Sequence, residues 1–306
     1  METMRTNEVP LVDLVERLDT FFKIFKDPAF TRFLPRAYEK VGFDFKKVFE
    51  PEFCGLFNGL MLKGSDKVQE VFCIAFPTPD VLRTILDTMT SDTLIFTHHP
   101  IDMMVSGTGF LPIEVDLLRQ LQEREISIYS IHAPMDVHNE LGTNAAIVQA
   151  LGITVSESFA KYGKGFAGRI GVTEQVTFQT FLQRVGDIFG VVPKIGGGEI
   201  ETVNKIAIVA GGGDEVDLME EAQQKECDVY LTGEWFTRGR PTDKDGREWA
   251  IGNDKACKAF AKRTGMSLVA VSHAASEFLV MKHQMIQWFE KLGLKATAIQ
   301  QKDWWR

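Results

Sequence analysis

The sequence predicts an α/β protein of two lobes, with mixed, largely parallel sheets covered by helices. Three observations carry that expectation. Short apolar runs rich in β-branched and aromatic residues recur along the chain, segments of helical periodicity follow most of them, and glycine or proline punctuates the joins. With 306 residues, 44% hydrophobic and 25% charged, the chain has a globular composition and the length for one large or two modest domains.

The elements follow in order. Residues 10–48 read as one or two amphipathic helices, because Leu11, Leu14, Leu18, Phe21 and Phe22 repeat at helical spacing. VFCIAF (71–76) is a strand, and TPDVLRTILDTM continues it as a helix opened by Thr78 or Asp80. The pattern repeats: TLIFT (93–97) is a strand, 113–125 a helix, SIYSIHA (127–133) a strand and GTNAAIVQALG (142–152) a helix. Beyond Phe166, GRIGVTEQVTFQTFLQRVGDIFG reads as strand then helix, and the glycines 196–198 separate it from the strand KIAIVAGGG. After these come a helix over 215–227, the strand DVYLTGE (228–234), a polar insertion over 236–249, the helix of DKACKAFAKRTG and the strand MSLVAVSH. A last helix spans about 276–292, and KATAIQQKDWWR adds an edge strand.

A net charge of -8 and a pI near 5.4 argue against a binder of nucleic acid that relies on a broad basic surface. Cys54, Cys73, Cys227 and Cys257 are widely separated and form no C-x-x-C pair, which fits a reducing, cytoplasmic setting. The opening METMRTNEVPLVDLVERLDTFF mixes charges with apolar residues, unlike a signal peptide, and no run approaches the length of an apolar membrane span.

Five of the six histidines sit in three short clusters: His98-His99 in LIFTHHP, His132 and His138 flanking Asp136 in SIHAPMDVH, and His273 with Glu277 in VSHAASE. Imidazole and carboxylate together bind divalent transition metals. Two clusters close predicted strands and the third lies just past one, where loops of an α/β sheet converge on ligands. A single histidine at a strand end is usually structural, but three clusters together favour a metal centre. His98 and His99 can both ligate only where the strand has ended, and Pro100 marks that exit. Adjacent imidazoles that diverge favour two ions over one. Asp136 offers a hard oxygen ligand, with His132 either ligating or orienting it, while His138 reads equally well as a solvated loop residue. His273 and Glu277 share a face if the helix has begun, and Glu277 can bridge two cations; an incidental acid behind a capping Ser272 or Ser276 explains this segment equally well. His283 lies within an amphipathic helix and reads as structural.

Gly211–Gly213 form a tight strand-to-helix turn more readily than a phosphate cradle, since no nucleotide-binding glycine motif is present. Glu234, at another strand end, is a catalytic acid/base candidate, a group supporting the ligands, or an ordinary surface acid. Arg238, Arg240 and Lys244 can meet an anionic substrate, though such charges are usually solvated.

The motifs FNGLMLKG (57–64), THHP, HAPMDVHNELGTNAAI, AIVAGGGDEVDLMEEA, DVYLTGE and SHAASE stand in one order from about residue 50 to 292. In that order the chain resembles the NIF-three-like family of hexameric proteins with dinuclear metal centres, whose bacterial members are often labelled GTP cyclohydrolase 1 type 2 homologues. The resemblance implies a NIF-three-like fold. It implies two divalent cations per subunit, of zinc, iron, manganese, cobalt or nickel, held by His98, His99, Asp136, His273 and Glu277, with Glu277 bridging and His132 beside the site. The chain is expected to divide into a helical extension (1–48), a metal-binding α/β lobe (49–158 with 256–306) and an inserted α/β lobe (159–255), the extension and the FTRGRPTDKDGREW insertion being unusual beside the family.

There are departures. Phe57 stands where the family usually has Asp, Phe76 where an Asp tends to follow the first buried strand, and Trp235 and Phe236 where histidines often follow Thr-Gly-Glu. No expected ligand is lost, so the substrate is what these changes touch. The expected activity is metal-dependent hydrolysis of a nucleotide-like or phosphorylated small molecule, with Glu277 and Glu234 as the catalytic carboxylates. GTP cyclohydrolase-type chemistry rests on resemblance alone. The competing readings are a non-enzymatic, metal-loaded hexameric ring with a regulatory or binding role, with nucleic acid disfavoured as its partner, and a protein of metal storage or delivery.

Overall fold

The computed structural model describes residues 8–89, 92–103, 109–236 and 244–302, with the backbone alone for 244–249. Arg238, Arg240 and the rest of 237–243, together with the side chains of 244–249 including Lys244, lie outside the described residues. The chain divides into two compact units. The first takes the chain up to Met103, Phe110–Met135 and Met281–Lys302; the second takes Asp136–Val280.

The first unit is built on a five-stranded sheet. Strands Lys295–Ala298, Glu70–Ile74, Thr93–Thr97 and Ser127–Ser130 run parallel in that spatial order, and Gly59–Leu62 closes the edge antiparallel to Ser127–Ser130. All residues of the three inner strands are buried, as expected for a sheet covered on both faces. Phe72, Ile74, Ile95 and Ile128 join one apolar cluster with Leu82 and Ile85 of helix Pro79–Thr88 and Leu118 and Leu121 of helix Val115–Glu123. On the other face Phe96 packs against Tyr129, Phe22 and Phe289. Each such side chain, once fully buried, contributes about 1.5–3 kcal/mol.

Local signals set the helix ends. The Thr78 hydroxyl accepts from the Val81 amide at 3.4 Å, with Pro79 in the first turn. The N-terminal segment forms helices Leu11–Phe22 and Phe30–Glu39, and the first buries Leu11, Leu14, Leu18 and Phe22.

The second unit carries a six-stranded mixed sheet. Thr202–Gly212, Val229–Glu234 and Ser267–Ala270 are parallel neighbours. Lys194–Gly197 flanks them on one side, and Gly165–Thr177 followed by Thr154–Tyr162 on the other, all antiparallel. Thus the expected parallel arrangement holds at the centre and gives way to antiparallel strands at the flanks. Ala207, Val209, Tyr230 and Leu268 share a core with Met219, Cys257 and Phe260 from helices Val216–Gln224 and Lys244–Ala261. Helices Thr143–Leu151, Phe178–Phe189 and His273–Val280 pack together and against Thr202–Gly212.

Several boundaries differ from expectation: helix Lys244–Ala261 begins inside the expected polar insertion instead of at Asp254, and two others bear on the site. The strand over 127–133 stops at Ser130, because the His132 amide leaves the ladder for the Asn58 side chain at 2.8 Å. The last helix starts at His273 rather than Ser276, its first turn capped by Ser272 Oγ, which accepts from the Ala275 amide at 3.3 Å; it continues through a π-helical stretch, Met281–Met285. Among the described residues no helix is long and apolar enough to cross a membrane.

Candidate metal centre

In the first unit, strand ends deliver three imidazoles. Beyond Thr97 the strand ends and the chain bends, its next two amides still tied to the neighbouring strand: the His98 amide donates to the Ile74 carbonyl (3.1 Å) and the His99 amide to that of Ala75 (2.9 Å). Thr97 Oγ1 donates to the His99 carbonyl at 2.8 Å and braces the turn. The two rings stand at 86° with centroids 4.9 Å apart. His98, His99 and His132 are all buried, and each offers a ring nitrogen within 4.8 Å of the others. Phe76 stacks on His99 at 4.0 Å, while Phe30 meets His132 edge-on at 4.7 Å and His99 at 5.5 Å. Phe76 thus walls the His99 imidazole with an apolar ring, at a position where the resemblance leads one to expect a carboxylate.

Hydrogen bonds assign the rings. His98 Nδ1 lies 2.9 Å from the Ile131 carbonyl, which only accepts, so Nδ1 carries the proton and Nε2 the lone pair. His132 Nδ1 lies 2.9 Å from Asp27 Oδ2. Burial pushes the Asp27 carboxyl up, but the His132 ring and hydrogen bonds from His132, Phe30 and Ala133 outweigh it and bring the value to about 2.

In the second unit, the Ser272 amide donates to the Gly233 carbonyl at 2.9 Å, and Ser272 takes a φ of 87°, a costly conformation for a residue with a side chain. That turn places His273 at the helix start with Glu277 one turn on. His273 is flanked by two carboxylates, Glu234 Oε1 at 2.9 Å from Nδ1 and Glu277 Oε1 at 3.0 Å from Nε2. Burial disfavours the charged ring, but Glu277 and Glu234 more than compensate and hold its pKa well above the ordinary value. A cation at Nε2 competes for the same lone pair as that proton.

Glycines make room for this pair. A Cβ on Gly211, whose φ is +71°, would fall 2.3 Å from Glu277 Oε1, and one on Gly233 2.8 Å from His273 Cα. The Gly211 amide donates to Ser276 Oγ at 2.8 Å, and that hydroxyl donates to the His273 carbonyl at 2.8 Å. The tight-turn reading of Gly211–Gly213 thus gains a purpose, since backbone must pass directly beside the donors. Asp136 is buried, its Oδ1 accepting from Thr143 Oγ1 at 2.9 Å. The loop after it is tied down by buried Arg169, which donates to Asn139 Oδ1 at 3.0 Å and to the Val137 carbonyl at 3.4 Å.

The other sequence candidates fall into place. His138 Nδ1 accepts from the Leu141 amide at 3.0 Å and shapes its own loop. His283 is exposed on the π-helical stretch. Trp235 lies over Gly196, where a Cβ would approach its ring to 2.5 Å, and donates to the Lys194 carbonyl, so it covers an edge strand. Sequence reasoning missed Asp27, and quoted Asn58, Thr143 and Arg169 without a role. Asp27 precedes Pro28 and its Oδ1 accepts from the Ala29 and Phe30 amides at 2.8 and 2.7 Å, a turn signal readable in the sequence. Its partner 105 residues away is not.

The donors in each unit fit a divalent transition metal on chemical grounds: buried imidazoles with one nitrogen committed to an acceptor, neighbouring carboxylates and no thiolate among them. The chain is 28% identical over 249 residues to a Pyrococcus horikoshii protein named GTP cyclohydrolase 1 type 2 homolog, a match covering 79% of this chain and 88% of that one. An Archaeoglobus fulgidus protein of the same name is 26% identical over 243 residues, with the same coverage. Among solved structures, protein ybgI, described as of unknown function, superposes with a TM-score of 0.67 at 19% identity, covering 97% of this chain and 100% of that one. The Thermus thermophilus protein TTHA1606 does so with a TM-score of 0.63 at 17% identity, covering 96% and 99%. At those identities the likeness speaks for the fold. A family model matches residues 57–238, a span that holds His98, His99, Asp136 and Glu234, with Asp27 before it and His273 and Glu277 after it. With more than half of its residues matched, the chain belongs to the Duf34/NIF3 (NGG1p interacting factor 3) family.

Proposed function

We propose that this chain is a divalent-metal-dependent hydrolase acting on a nucleotide-like or phosphorylated small molecule. One observation carries the reading. His98, His132 and His273 each have Nδ1 against a backbone carbonyl or carboxylate, an arrangement that leaves Nε2 as the coordinating nitrogen and is characteristic of metal-ligating histidine. His98, His99, Asp136, His273 and Glu277 are the proposed ligands of two cations, with Glu277 bridging. Zinc, iron, manganese, cobalt and nickel all suit such donors. Bound cations supply Lewis acidity, polarising the attacked group and acidifying water.

The chain's own residues set the conditions for that chemistry. Glu234 orients His273 through Nδ1, which supports a positioning role ahead of direct acid/base work. The Phe76 and Phe30 rings exclude water from the imidazoles of the first unit. The names of the relatives support cyclohydrolase-type ring opening as the first activity to assay, and the resemblance supports a homohexamer. The test is a panel of phosphoesters, nucleotides and cyclic amides offered to metal-depleted and metal-reloaded protein. Turnover that appears only on reloading is expected. Uniform inactivity of fully loaded protein overturns the hydrolase reading in favour of a binding ring, or of metal delivery if the ions exchange rapidly.

A further inference from the structure

We propose that Asp27 is a positioning residue that fixes His132 as its Nδ1–H tautomer, so that His132 presents Nε2 as a third nitrogen ligand beside His98 and His99. The inference rests on the metal-binding reading above and extends it to a residue outside the family-matched span.

Four donors converge on this one carboxylate. The Ala29 and Phe30 amides donate to Oδ1 at 2.8 and 2.7 Å, while the Ala133 amide at 3.1 Å and His132 Nδ1 at 2.9 Å share Oδ2. Both oxygens must therefore accept. A protonated carboxyl would set a hydrogen against an N–H, and an asparagine would present its NH2 to two N–H groups. Since Oδ2 accepts, the shared hydrogen lies on His132 Nδ1, and neutral imidazole then carries its lone pair on Nε2. Rotating the ring by 180° would exchange Nδ1 for a carbon and leave the buried carboxylate short of a donor.

The support around Asp27 is rigid. Its own amide donates to the Leu56 carbonyl at 2.8 Å, and Asn58 Nδ2 donates to the Phe25 carbonyl at 2.9 Å. Asn58 Oδ1 accepts from the His132 amide at 2.8 Å, so one asparagine links the Asp27 loop to the His132 backbone. Phe30, immediately after this loop, adds an edge-on contact to the ring. His132 is thereby held at its backbone, at Nδ1 and on its ring face, and its centroid lies 4.8 Å from that of His98 and 4.9 Å from that of His99. Asp27 itself is fully buried with both oxygens engaged, so its effect on a cation passes through His132.

The test uses the full chain with Zn²⁺ and Co²⁺ as probes. Long-range ¹H–¹⁵N spectra of the metal-free protein should show His132 protonated at Nδ1. Chelator-competition titrations should show Zn²⁺ held about 10–100-fold more weakly by Asp27→Asn, and as weakly by His132→Ala, with the Co²⁺ absorption spectrum altered in both. His138→Ala, on the neighbouring loop, should bind as wild type does. A wild-type His132 protonated at Nε2, or an Asp27→Asn protein that keeps wild-type affinity and spectrum, overturns this inference while leaving metal binding intact. A wild-type chain that takes up neither ion overturns both. If Asp27→Asn does not fold, the wild-type tautomer and the His132→Ala titration decide the matter.

Discussion

Asp27 illustrates how a single buried carboxylate couples the N-terminal segment to the imidazoles of its unit. Its folded pKa lies below the ordinary 3.8, at about 2. A group depressed on folding contributes stability in full above its unfolded value, and that contribution disappears as the pH falls through the folded one. The unfolding free energy of wild type should therefore exceed that of Asp27→Ala at about pH 5, and chemical denaturation should show the gap narrowing towards about pH 2. A gap that stays constant over that range would mean that Asp27 acts through packing and neutral hydrogen bonds instead of through its charge.

At the scale of elements, the ends of strands and the starts of helices bring the chemistry together. Gly211 closes such a strand, and in Gly211→Ala the left-handed backbone alone costs about 1–2 kcal/mol, with a methyl forced onto Glu277 Oε1 in addition. That variant should melt earlier and bind less metal, read by calorimetry and elemental analysis; unchanged metal content would show that Glu277 is not held by this contact. The elements themselves were largely legible. TLIFT coincides with the strand Thr93–Thr97, and DVYLTGE lies within one residue of Val229–Glu234, because buried central strands are written as short apolar runs. The antiparallel flanks were not legible, since an apolar run does not state which neighbour it pairs with. Histidine at strand ends was visible for His98, His99 and His273. The supports of His132, Asn58 and Asp27, were hidden because a hydrogen bond between distant segments leaves no local pattern. Gly211 was seen as a turn residue, yet its nearness to Glu277 depends on tertiary approach.

For the molecule as a whole, cations that bind the folded chain and not the unfolded one stabilise it by mass action, by about 2.7 kcal/mol at a hundredfold excess over Kd. Removing them with a chelator should lower the melting temperature, and reloading should restore it; a melting curve indifferent to both would count against ligands drawn from the folded structure. The proposed hexamer should appear as six-chain mass in light scattering, and a monomer at working concentration would remove that part of the proposal. The most direct test of the central claim is metal content by elemental analysis in wild type, His98→Ala and Glu277→Gln, each depleted and reloaded under identical conditions. Two ions per wild-type chain are expected, with loss chiefly of one in His98→Ala and reduced occupancy of both in Glu277→Gln. Wild-type protein that retains no metal, or variants that retain as much as wild type, would contradict it.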